Sequence, residues 1–366
     1  MMKRVAVILL VMLLTLCAAS ALADKTLTIT FTGDVTLGSE EVKRRNEASF
    51  DSFAQREGYD YFFANVVDLF RGDDLTVVNL EGILSDSSAN EKKTKTYRFR
   101  GPADFVNILT RNSIEAVNLA NNHTMDYEKR GYQDTTKIRT TAGVDYFGNT
   151  TVWTWEKDGI KIGFIGQNGT TFAKNRNWAK QQVEELKAGG VSFVVFVFHG
   201  GTEYAPHKTT QRFNSQEFAA QFMIDAGVDL VIMHHPHVVQ GYDVYKNRTI
   251  CYSLGNFCFG GNKQVRAIES LVVQADLTFA DDGTYLGQQL RLYPAHISGT
   301  NPDSNYQPVF VKGEEAQAVM AIIQNDSSIT LNPFQDELGY ALQDYVPAVA
   351  GTEENRDFTV QDEEGN

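Results

Sequence analysis

Residues 229–241 read DLVIMHHPHVVQG. An apolar, β-branched run stops abruptly at three histidines within four positions, and a second apolar pair follows. The whole chain of 366 residues holds seven histidines. The stretch therefore concentrates the one side chain that is both a neutral ligand and a base titrating near pH 7. His235 and His237 stand two apart; on an extended backbone both rings leave the same face and converge on one cation. His234 then points the other way, as a bystander. One histidine at a strand end is ordinarily a polar loop start. Three at this spacing ask for further ligands from elsewhere in the chain.

Other strand ends supply them. Upstream, residues 191–198 (VSFVVFVF) form a continuous apolar run of the kind buried on both faces of a sheet, ending in His199-Gly200-Gly201-Thr202-Glu203-Tyr204. The run at 114–119 leads into Asn121-Asn122-His123, with Asp126 placed to orient the His123 ring. Residues 75–79 are a strand that ends at Leu80-Glu81-Gly82, and residues 27–31 a strand that ends at Gly33-Asp34. Between these runs the apolar spacing predicts helices over 59–70, 103–110, 127–141 and 178–187. A further helix ends at Ala226, begun by a capping box of Asn214 and Glu217. After residue 249 the pattern turns antiparallel, with a hairpin of 270–279 and 285–293 and a short helix at 314–324. Tyr97 to Arg100 alternates aromatic and basic residues; a solvated strand edge is the expected place for Arg98 and Arg100.

In alternating β/α chains, ligand sites gather at the carboxyl ends of the strands. The set Asp34, Glu81, Asn122, His123, His199, His235 and His237 mixes oxygen and nitrogen and contains no thiolate. It suits borderline divalent ions such as Mn, Zn or Fe rather than calcium. The number of ligands exceeds what one zinc ion takes, so two ions bridged by Asp34 or Glu81 are expected. Such a pair generates hydroxide at neutral pH and clamps both oxygens of a phosphoryl displacement.

Composition narrows the setting. Lys3 and Arg4 precede an apolar run over 5–14, and Ala21-Leu22-Ala23 is a signal-peptidase pattern. Export with cleavage after Ala23 is expected, to a secreted or cell-surface location; an uncleaved membrane anchor is the alternative. Cleavage removes those two basic residues and no acidic one, taking the formal net charge from −13 to −15. That excludes nucleic acid as a partner held by bulk electrostatics. Cys251 and Cys258 then remain, expected as buried free thiols rather than a disulfide framework.

Read together, GD, NLEG, NNHTMD, HGGTEY, HHPHVVQG and YSLGNF resemble, in order and spacing, the CapA-type proteins of poly-γ-glutamate capsule synthesis, within the calcineurin-like metallophosphoesterase superfamily. The resemblance covers roughly residues 26–293. It implies a four-layer α/β/β/α sandwich with the seven residues above as metal ligands. It also implies His123 as the group that protonates a leaving group, oriented by Asp126, and Glu203, Ser253 and Asn256 as pocket residues. Turn chemistry is the competing reading of Ser253 and Asn256. Two positions depart from the superfamily pattern: Thr36 stands where its Asp-x-His motif has histidine, and Asn79-Leu80-Glu81 stands where it has Gly-Asp.

The expected organisation is a signal peptide (1–23), a CapA-type domain (24–300), a C-terminal extension with a short helix (301–350) and a disordered acidic tail (351–366). The expected function is that of an exported, metal-dependent hydrolase acting on an anionic polymer or phosphoester substrate, beside membrane capsule-synthesis machinery. The alternative is a non-catalytic polymer-handling factor that keeps the fold.

Overall fold

Alternation along the strands sorts the apolar residues into layers. The computed structural model describes residues 24–207, 216–261 and 263–348. Its first half holds β1 (Lys25–Thr36), α1 (Phe50–Glu57), β2 (Leu75–Leu80), β3 (Ala116–Asn118), α2 (Glu128–Ala142) and β4 (Asp145–Phe147). The second holds β5 (Trp153–Lys157), β6 (Ile160–Asn168), α3 (Gly169–Ala188), β7 (Phe193–His199), α4 (Gln216–Asp225) and β8 (Leu230–His234). Then come β9 (Tyr242–Tyr245), β10 (Arg248–Cys251), β11 (Asn256–Phe259), the hairpin of β12 (Glu269–Phe279) and β13 (Tyr285–His296), and α5 (Gly313–Asp326).

Two sheets result. One runs β13-β12-β1-β2-β3-β4, with β11 beside the end of β1; the other runs β9-β10-β8-β7-β6-β5. The strands β1 to β4 are mutually parallel, as are β6, β7, β8 and β10. Parallel strands end on the same edge, which is why separate motifs meet.

In β7, Phe193, Val195 and Val197 face one core, whereas Val194, Phe196 and Phe198 face another. The inner core joins the two sheets, drawing Ile29, Phe31, Leu75 and Val77 against Ile162, Val195, Leu230 and Ile232. An outer core packs α3 and α4 on the second sheet through Phe172, Val183, Ala220 and Met223. Another covers the first sheet with α1 and the aromatic turns after it, through Phe50, Phe62, Phe63 and Phe70. Three cores between four layers make the expected α/β/β/α sandwich. Each buried Val, Ile or Phe contributes about 1.5–3 kcal/mol of apolar burial, so the central strands carry the stability that holds the site.

One element differs from expectation. The apolar stripe at 59–70 is buried, but its backbone is mostly turns, with a helix only at Val67–Arg71. Phe62 and Phe63 are both fully buried, and Phe62 stacks on Phe50 at 4.1 Å. Adjacent residues cannot share one helical face, so packing overrides the spacing. The helix lies earlier, in α1, where Ser49 accepts from Ser52 N as the cap. Arg100 is also not solvated. It is 5% exposed, pairs with Glu41 at 2.6 Å and donates to the Ser85 carbonyl.

In the C-terminal part, α5 lays Ala316, Val319 and Ile323 into the inner core. Cys251 and Cys258 are buried and free, as expected. Among the described residues no helix is long and apolar enough to cross a membrane. The signal peptide at 1–23, the tail at 351–366 and Asn214 of the capping box lie outside the described residues.

Candidate metal centre

The strands deliver their polar residues by the same alternation that builds the core. Leu75 and Val77 face inward on β2, and so does Asn79. Val195, Val197 and His199 share a face of β7, and Leu230, Ile232 and His234 a face of β8. On β1 the alternation of Leu27, Ile29 and Phe31 would turn Asp34 away. A register shift against β2 between Phe31 and Asp34 resets it and aims the carboxylate inward. Gly33 permits this: a Cβ there would lie 2.4 Å from the Gly255 carbonyl oxygen.

Asp34 is the hub. Asn79 donates to its Oδ1 at 2.7 Å, His234 Nδ1 lies 3.3 Å from the same oxygen, and His237 Nδ1 lies 3.7 Å from Oδ2. Behind it, Asn118 and Asn121 donate to Asn79 Oδ1 at 2.8 and 3.3 Å, fixing that amide. Glu81 lies opposite, 3.6 Å from His123 Nε2 and 3.7 Å from His199 Nε2. His199 Nε2 is also 2.9 Å from Asn122 Oδ1 and 3.2 Å from His235 Nδ1. His123 is held from behind: its Nδ1 lies 2.6 Å from Asp126 Oδ2, and Lys95 Nζ donates to Asp126 Oδ1 at 2.5 Å and to the Asn122 carbonyl at 2.8 Å. His237 Nδ1 lies 2.8 Å from Asn256 Oδ1, which β11 brings into register with Asp34.

Charge is the notable property of this cluster. Burial pushes the Asp34 carboxyl up, but the hydrogen bond and charge of His234, with His199 and His237, hold it well below the usual range. Glu81 goes the other way: burial and then the charges of Asp34 and Asp126 raise it well above an ordinary glutamate. Both its oxygens are buried and without a hydrogen-bond partner. Burial lowers His123 against the pull of Asp126. It lowers His199 further with help from His235, and His235 to about 4 with help from His237. Neutral imidazoles around a partnerless buried carboxylate are the form in which such groups bind a cation, so the residues present fit a divalent metal ion. Ligand atoms of Asp34, Glu81 and His237 lie within 4.8 Å of one another, as do those of Glu203, His235 and His237.

All seven expected ligands thus converge, with Asp126 on His123 and Asn256 on His237. Glu203 is exposed at the edge of the cluster. Ser253 is occupied by its turn, where its Oγ accepts from Gly255 N at 3.2 Å. Two expectations at 234–237 are corrected. The backbone is not extended there: His235 has φ 99° and His237 φ 59°, so both rings arrive through left-handed conformations that non-glycine residues adopt at a cost. His234, expected as a bystander, is the inward residue of β8 and faces Asp34. Lys95 has no place in the sequence reading, and Asn79 enters it only as a departure from the superfamily motif, without a role. Asn79 was detectable as the polar member of the inward set Leu75-Val77-Asn79, whereas Lys95, in a polar loop, carries no such signal.

Comparison with known proteins gives the family. Residues 28–261 match the family described as bacterial capsule synthesis protein PGA_cap. The capsule biosynthesis protein CapA of Bacillus anthracis is 30% identical over 304 residues, covering 76% of this chain and 69% of that protein. The PGA biosynthesis protein CapA of Bacillus subtilis (strain 168) is 25% identical over 331 residues, covering 85% of this chain and 83% of that protein. The sandwich, the converging strand ends and the extent of these matches lead to one conclusion: this chain belongs to the PGA_cap family of capsule synthesis proteins, with its metallophosphoesterase-like fold.

Proposed function

We propose that the chain is an exported hydrolase of capsule or cell-envelope polymer metabolism that works with a binuclear centre of Mn, Zn or Fe. The observation that carries the reading is Glu81, fully buried with both oxygens unpartnered, between His123, His199 and Asp34. A buried carboxylate in that state is costly unless a cation completes it. Asp34, His199, His235 and His237 would hold one side of the centre, with His234 orienting Asp34, and Glu81 and Asn122 the other. Bound ions would supply a hydroxide and neutralise charge on the oxygens of a phosphoester or related group. The chain's own contribution is the His123 proton. Asp126 fixes Nδ1, Lys95 fixes Asp126, and Nε2 faces the centre, where it can give a proton to a leaving oxygen. The relatives' names support the capsule setting, and residues 1–23 support export.

A non-catalytic, polymer-handling role is the second reading. It is favoured by Thr36, which is fully buried with an unpartnered hydroxyl where the superfamily carries a histidine. The test is turnover of phosphodiester, phosphomonoester and γ-glutamyl substrates by protein reconstituted with Mn or Zn. The hydrolase reading expects turnover that falls by at least 100-fold in His123→Ala at unchanged metal content. A wild-type protein loaded with metal and silent on all three substrates would leave the second reading.

A further inference from the structure

The chain is acidic, yet a guanidinium stands at the edge of its metal centre. Arg266 Cζ lies 3.5 Å from the ring centroid of Tyr204, and the Tyr204 ring lies 5.7 Å from that of His237. The described partner of Arg266 is therefore Tyr204, through its ring face and its hydroxyl, rather than a carboxylate, although the side chain is exposed and Glu203 neighbours Tyr204. A guanidinium has five N–H donors, so one that stacks on a ring and bonds its hydroxyl still has a planar N–H edge for two parallel hydrogen bonds.

The platform is held in place. Tyr204 has φ 56°, a left-handed conformation in a bulky residue, and its N–H donates to the Pro236 carbonyl at 2.8 Å. Pro236 sits between His235 and His237, so one strained turn fixes the ring and both metal-facing histidines together. Backbone strain of this kind persists where surrounding structure enforces it and gathers at binding sites. On the opposite side, Lys95 is the other cation next to the centre among the described residues, and it is engaged by Asp126 and Asn122. Among the described residues, Arg266 is thus the cation that remains open to a ligand reaching the His237 side.

We infer that Arg266, stacked on Tyr204, is the specificity-determining residue that receives an oxyanion of the substrate, a carboxylate or a phosphate, next to the group held at the metal centre. This rests on the hydrolase reading for the identity of the centre, but its test does not need turnover. Bidentate pairing to a planar or tetrahedral oxyanion is what arginine does and lysine does not.

The test is calorimetric titration of metal-loaded protein at low ionic strength with a γ-linked glutamate tetramer, its uncharged α-amide counterpart, and inorganic phosphate. Metal content is measured on the same samples. The wild type is expected to bind at least one anionic probe and to prefer the charged tetramer to its amide. Arg266→Ala should lose about tenfold or more in that affinity, Arg266→Lys should regain only part, and Tyr204→Leu should resemble Arg266→Ala, all with metal content unchanged. Weakening confined to the tetramer assigns a carboxylate subsite, and weakening confined to phosphate a phosphate subsite. Equal affinities in wild type and Arg266→Ala, or no binding of either anion by the loaded wild type, overturn the inference and leave the metal centre standing. A wild type that takes up no metal fails the hydrolase reading instead; anion affinities that are then still independent of Arg266 overturn this inference as well.

Discussion

Glu81→Gln should stabilise the metal-free protein and weaken the metal-bound one. Glu81 is fully buried, both its oxygens lack partners, and Asp34 and Asp126 add like charge. An unsatisfied buried polar group costs about 1–3 kcal/mol, and more when charged. Glutamine keeps the shape and removes the charge, so in excess chelator the variant should gain about 1–3 kcal/mol. In a chain of this length that is roughly 2 °C of melting temperature for each kcal/mol. With saturating Mn or Zn the order should invert, because ligand bound only to the native state stabilises it by RT ln(1 + [L]/Kd), and the wild type has the better ligand. Thermal melts of both proteins with chelator and across a metal titration give the two curves, which should cross. A variant that melts below wild type in chelator, or curves that stay parallel through the titration, would refute the idea that Glu81 is kept for a cation.

Other expectations concern groups around the centre. His234→Ala removes the ring 3.3 Å from Asp34 Oδ1; metal affinity should drop about 10- to 100-fold, as on losing an orienting partner, while the fold persists by circular dichroism. Unchanged affinity would return His234 to bystander. Asp326, at the end of α5, accepts from His207 N at 3.1 Å and Gly241 N at 2.9 Å, with His207 Nδ1 at 2.7 Å. It thereby ties the 200–207 turn and the loop after His237 to the helix. Burial pushes its carboxyl up, but these bonds hold it below the usual aspartate value. Its stabilisation is therefore present above the unfolded-state pKa and lost as pH falls through the lower folded-state value. Asp326→Ala should cost about 2–3 kcal/mol at pH 7 and flatten the acid limb of a stability–pH curve; an unaltered limb would contradict this.

Much of the fold is legible because strands and helices alternate and each strand-like run stops at a chemically capable residue. The converging set could be read from Asp34, Glu81, His123, His199 and the 234–237 stretch, since parallel strands end together. What could not be read has physical causes. Central strands such as β7 are apolar on both faces, so they do not announce which neighbour of a histidine faces inward; His234 was misassigned for that reason. The turn of Asp34 depends on Gly33 meeting the Gly255 carbonyl, a contact across more than 200 residues of chain. The left-handed backbone at His235 and His237 is imposed by the assembled site, against the preference of the residues themselves. The stripe at 59–70 had the right burial and the wrong backbone, because two adjacent phenylalanines both had to be buried.

The central claim is a centre for two divalent ions. Elemental analysis of protein purified without chelator, alongside His235→Ala and Glu81→Gln, tests it most directly. The account predicts two divalent ions per chain in the wild type, falling to one or none in either variant while the fold persists by circular dichroism. Metal far below one ion per chain in the wild type, even after dialysis against Mn or Zn, would contradict it.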